Sequence, residues 1–96
     1  MAYKVVTSSK VHFDIEKGIE WYKEIQIELA KQFLKEVGKT KKTILKNPEK
    51  FQVRYSNIRI AFLDKFPFGI HYKIENDTIF LLAIFHFKEN PDSWTK

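Results

Sequence analysis

The sequence predicts an α+β fold: an N-terminal strand and a two-helix hairpin packed on a mainly antiparallel sheet. Three observations predict it. Apolar residues recur at helical spacing through the first half of the chain, the period falls from 3.6 to 2 from Phe51 onward, and Asn47-Pro48 divides the two regimes. With 96 residues, 3 Gly and 3 Pro, the chain reads as a single domain over residues 1–96. A domain of this size has room for one core, which must absorb most of the 44% apolar residues and the 9 Phe among them.

Tyr3 to Thr7 is a short β-type run. Ser8 or Ser9 is then placed to start a helix near Lys10 by accepting a hydrogen bond from one of its free amides. At 100° per residue, Val11, Ile15, Gly18, Ile19, Tyr22, Ile25 and Leu29 fall in one arc of about 120°, the stripe of a helix docked on a core. The far side carries Glu16, Glu20, Glu24 and Glu28, a row of like charges that suits solvent. Phe13, Trp21 and Ile27 also fall outside the apolar arc. Either a partner covers them, or the strand at Tyr3 to Thr7 or the tail at Trp94 does.

After a break near Gln26 to Ala30, a second helix runs to about Lys46 and stops ahead of Asn47-Pro48, because proline disfavours helical geometry in the residue before it. Its core stripe is Ala30, Phe33, Leu34, Val37, Ile44 and Leu45. Lys31, Lys35, Lys39, Lys42 and Lys46 lie within about 80° on the opposite side. Lys41 falls inside the apolar arc, which requires its stem to lie along the core with the ammonium reaching out, or a bend at Gly38.

In the second half, Ile58, Ile60 and Phe62 alternate with Arg59, Ala61 and Leu63. Phe68, Ile70, Tyr72 and Ile74 alternate with Gly69, His71 and Lys73, giving a second half-buried strand. Asn76-Asp77 suits the tip of a tight hairpin, since both residue types tolerate positive φ. Thr78 to Phe87 returns with apolar residues on both faces, as an internal strand does.

Several chemistries are excluded or unsupported. No cysteine is present, so disulfide scaffolds and thiolate metal sites are out. Gly18, Gly38 and Gly69 are too scattered for a phosphate-cradling loop. His12, His71 and His86 show no metal-ligand spacing, and no cofactor or metal is expected. The longest apolar run, Ile79 to Phe85, is far short of the about 18 residues of a membrane span, and no long apolar region marks the start, so a cytoplasmic protein that engages no membrane is expected. The net charge of +5 favours acidic or polyanionic partners, with Lys35, Lys39, Lys42 and Lys46 as the candidate surface. Strand alternation also groups Arg59, His71, Lys73, His86 and Lys88 near one end or one face of the sheet. Such a group can hold a phosphodiester, with Arg gripping two oxygens and His86 moving a proton near neutral pH; it can equally solvate a wet sheet face.

Four patterns, in order, cover nearly the whole chain: Ile19-Glu20-Trp21-Tyr22; Phe33-Leu34 with Asn47-Pro48; Ile58-Arg59 followed by Phe66-Pro67-Phe68 and Tyr72; and His86 with Pro91 and Trp94. Together they make the chain resemble the RelE/ParE superfamily of toxins from bacterial toxin-antitoxin pairs, most closely the ParE-like plasmid stabilization toxins. The resemblance implies a helical hairpin on an antiparallel sheet, growth inhibition as the activity, and a cognate antitoxin as partner, with an oligomer formed together with that antitoxin as one outcome. It also implies one of two targets, because RelE-like toxins cut mRNA on the ribosome whereas ParE-like ones poison DNA gyrase. The family's usual ending has Arg where this chain has Lys88, and Glu89-Asn90 precede Pro91 here. Arg59, His86 and Lys88 are the positions that match a ribonuclease's catalytic cations, and they carry that role only if the chain is an mRNA endoribonuclease. An antitoxin segment that folds on the toxin would seat on Phe13, Trp21, Ile27 and Trp94. The leading expectation is a gyrase-binding toxin; the alternatives are a ribosome-dependent endoribonuclease and a non-toxic partner-binding domain.

Overall fold

The computed structural model describes residues 3–87. In chain order the elements are β1 (Lys4–Thr7), α1 (Ser9–Ile25), α2 (Ile27–Lys46), β2 (Val53–Tyr55), β3 (Ile58–Phe62), β4 (Phe68–Glu75) and β5 (Thr78–His86). The strands form one sheet in the order β1-β5-β4-β3-β2, with β1 parallel to β5 and the other pairs antiparallel. The expected α+β architecture is therefore what the chain adopts.

The turns follow from residues that accept positive φ. Asn76 (φ 58°) closes the β4–β5 hairpin at the expected tip. Ser56 (φ 42°) and Asn57 (φ 65°) form a two-residue link between β2 and β3 with the handedness that strand twist prefers. The sequence reading did not isolate β2, because three residues are too few for a period to register.

The helices differ from expectation in instructive places. The interruption between them is Gln26 alone, whose extended backbone (φ -167°) breaks the ladder for one residue. Ile25 and Leu34, read as core, are 62% and 51% exposed. Ile25 lies at the border of the apolar arc and is the last residue of α1. Lys41 is half-buried in an uninterrupted α2, as a stem along the core requires. Ser8 precedes α1 but makes no side-chain cap. Its hydroxyl instead donates to the Leu82 carbonyl at 2.7 Å.

That exchange has a physical reason. β1 pairs with β5 over Thr78 to Leu81, so beyond Leu81 the β1-facing edge of β5 has no strand neighbour among the described residues. The start of α1 takes over there. Ser8 satisfies Leu82, and the buried carboxylate of Asp14 accepts the Ile84 amide at 2.9 Å while Lys10 donates to its other oxygen at 2.8 Å. A polar strand edge entering a core must be satisfied, and the short side chains of Ser8 and Asp14 do so.

The core lies between hairpin and sheet, with Phe33, Val37 and Ile44 of α2 and Val11 of α1 against Ala61, Ile70, Tyr72, Ile79, Leu81 and Ile84. One end is closed by rings: Phe33 lies 5.2 Å from Phe68 and 5.6 Å from Phe66, and Tyr22 lies 5.1 Å from Phe66. These edge-on contacts weld the Phe66-Pro67-Phe68 turn to both helices.

Candidate functional site

On the outer side of α1, Phe13, Lys17, Trp21 and Ile25 succeed one another at four-residue spacing, so they form one ridge. Its apolar members are strongly exposed, Phe13 by 58% and Trp21 by 64%, and Ile27 at the start of α2 by 48%. The Lys17 ammonium lies 5.8 Å from the Phe13 ring centre. Neither β1 nor any other described element buries Trp21. Trp94 and Lys88 lie outside the described residues.

Trp21 and Lys17 separate two grooves. One, of about 420 Å³, runs between α1 and the sheet, walled by Tyr22, Phe68, Ile84 and His86 with Asp14 and Gly18 at its base. Gly18 is required there, since a Cβ would stand 2.5 Å from two ring carbons of the fully buried Phe33. The other groove, of about 500 Å³, follows the outer face of α1 and is lined by Phe13, Lys17 and Trp21, by Glu16, Glu20 and Glu24, and by Ile19.

The basic row of α2 also stands where the sequence put it: Lys35, Lys39, Lys42 and Lys46 are exposed. Lys39 makes only a long contact of 4.0 Å with Asp64.

The described members of the cationic cluster, by contrast, do not converge on one point. Arg59 Nη1 donates to the Phe51 carbonyl at 2.6 Å and the Glu49 carbonyl at 3.3 Å, so it clamps the α2–β2 connection. In register it faces Tyr72 across β3–β4, whereas His86 faces Phe68 across β4–β5. These positions are four residues apart on β4, about 13 Å along the strand, with β4 itself between them. His71 points to the opposite face from Arg59, pairing with Ile60 and Ala83. It is buried, and its Nδ1 shares a 2.7 Å hydrogen bond with the Tyr55 hydroxyl. Lys73 is paired with Glu75 at 3.0 Å. No group of three or more His, Asp or Glu among the described residues could hold a metal ion.

The neighbour of Arg59, Tyr72, is strongly perturbed. Burial pushes the Tyr72 phenol up to about 12, partly offset by the Arg59 guanidinium, and its hydroxyl donates to the Pro48 carbonyl at 2.7 Å. Burial likewise raises the Tyr22 phenol. The sequence reading missed Asp14 and Ser8 as structural donors and acceptors. For Asp14 a signal existed, since at 100° per residue it lies about 20° outside the apolar arc.

A family profile described as the ParE toxin of type II toxin-antitoxin system, parDE, matches residues 5–91. The chain belongs to the ParE toxin family. Nine solved chains are similar to it, and one of them, described as a chromosomal ParDE TA system from P. aeruginosa, superposes with a TM-score of 0.78 at 16% identity, covering 88% of this chain and 96% of that one. No curated protein matches the chain by sequence.

Most residues that give this ParE-family chain its resemblance serve the scaffold. Tyr22, Phe33, Phe66 and Phe68 form the ring cluster, and Tyr72 and Arg59 tie down the connection after α2. Trp21 stands apart. It is the one large apolar member of Ile19-Glu20-Trp21-Tyr22 that is exposed, by 64%.

Proposed function

We propose that this ParE-family toxin arrests growth by binding a cellular target, DNA gyrase, rather than by cutting RNA, and that a cognate antitoxin neutralises it. The observation that supports binding over cleavage is the dispersal of the cations. In-line attack by a ribose hydroxyl needs several preorganised donors around one phosphate. Arg59 is committed to two backbone carbonyls, and its position lies four residues along β4 from that of His86. The contact with an acidic target surface is assigned to Lys35, Lys39, Lys42 and Lys46. The antitoxin's seat is assigned to Phe13, Trp21 and Ile27, whose exposure in a domain this small favours a partner, with Trp94 contributing from the tail.

The test compares two assays on the purified protein, gyrase supercoiling and mRNA cleavage in a translation extract. Inhibition of supercoiling without cleavage is expected. Reversing the four lysines to Glu should weaken inhibition at least tenfold while the far-ultraviolet circular dichroism is unchanged. Cleavage of mRNA with supercoiling untouched would overturn the reading.

A further inference from the structure

We propose that the groove along α1 takes a helical segment with a basic flank, its apolar side chains on Phe13 and Trp21 and its Lys or Arg residues, one per turn, opposite Glu16, Glu20 and Glu24. The inference rests on the reading of this strip as the antitoxin's seat, and it names the chemistry of what docks there.

The shape of the site selects a helix. Phe13, Lys17, Trp21 and Ile25 form one row at four-residue spacing, and Glu16, Glu20 and Glu24 form the next. The groove between two such rows is what a ridge of a second helix fills. Its volume of about 500 Å³ gives space for several side chains.

The charge of the site selects the flank. Although the chain carries a net charge of +5, this groove has the opposite local sign. Three carboxylates line it, against Lys17 as the cation. Glu28, next in the acidic row, is paired with Lys31 at 3.7 Å. None of Glu16, Glu20 and Glu24 has an ion-pair partner within 4.0 Å among the described residues. Successive carboxylates are about 6 Å apart along the helix, the spacing at which a facing helix presents residues one turn apart. An acidic segment would set like charges together beside an apolar seat, and a neutral one would leave the row unanswered.

The experiment uses two synthetic helical peptides with one apolar face in common and either Lys or Glu at the flanking positions, titrated calorimetrically into the full chain. The Lys peptide should bind at least tenfold more tightly at low salt, and the advantage should shrink at high ionic strength. Changing Glu16, Glu20 and Glu24 together to Gln should abolish the preference, and changing them to Lys should invert it. Trp21→Ala should weaken both peptides. Equal affinities for the unaltered protein, or a preference unchanged in the Gln variant, overturn the basic flank alone, provided Trp21→Ala still weakens binding. Binding indifferent to Trp21→Ala overturns the reading of the strip itself. Failure of both peptides to bind overturns both.

Discussion

Tyr72 joins three parts of the molecule through one side chain. Its ring is fully buried beside Phe51, and its hydroxyl holds the Pro48 carbonyl where α2 gives way to β2. Tyr72→Phe leaves that carbonyl without its donor, and a cost of about 1–3 kcal/mol is expected in chemical denaturation. The same side chain sets a pH limit. The folded phenol, pushed up to about 12, keeps its proton where the unfolded one, near 10, has lost it. Stability should therefore be level below about pH 10 and fall between about 10 and 12, by an amount on the order of 2 kcal/mol. Denaturation midpoints measured across that range check this, and Tyr72→Phe should flatten the dependence. At this scale the sequence was only partly legible. Strand alternation placed Tyr72 in the core, but the same alternation gave no sign that Arg59 would spend its donors on the carbonyls of Glu49 and Phe51, since side chain–backbone bonds across a loop leave no period.

Among the elements, the α1–α2 contact turns on Gly18 and Phe33. A methyl at position 18 would meet the Phe33 ring at 2.5 Å, and that ring cannot yield, being wedged against Tyr22, Phe66 and Phe68. Gly18→Ala should destabilise the protein by about 1–3 kcal/mol and lower its melting temperature, even though alanine is the better helix former. A melting temperature equal to or above that of the parent would contradict this packing. Both helices, β3, β4 and β5 were readable from period and punctuation, because each is long enough to repeat its pattern. β2 and the single-residue break at Gln26 were not, because a three-residue strand and one extended residue depend on tertiary partners rather than on local pattern.

For the molecule as a whole, the proposed antitoxin seat centres on Phe13 and Trp21 of α1 and the proposed target surface on the lysines of α2, so they should separate genetically. Trp21→Ala should weaken antitoxin binding in a pull-down or calorimetric assay at least tenfold and leave growth arrest intact. Reversal of the α2 lysines should do the converse. Loss of both properties in either variant would mean that one surface serves both partners. The exposed strip was legible because Phe13, Trp21 and Ile27 violate the helical pattern. The groove beside Glu16, Glu20 and Glu24 was not, since only packed coordinates show which outward rows leave a hollow between them.

The seam between the ends of the chain has a consequence for biogenesis. Ser8 reaches a carbonyl 74 residues away, and among the described residues β1 has its partner strand in β5. At synthesis rates of about 5–20 residues per second, the first strand must wait roughly 4–15 s for its mate to be translated. A nascent chain interrupted before Thr78 lacks the strand that β1, β4 and α1 all require. Premature termination there removes the partner of β1 and of the start of α1, so the fold can close only once β5 has been made.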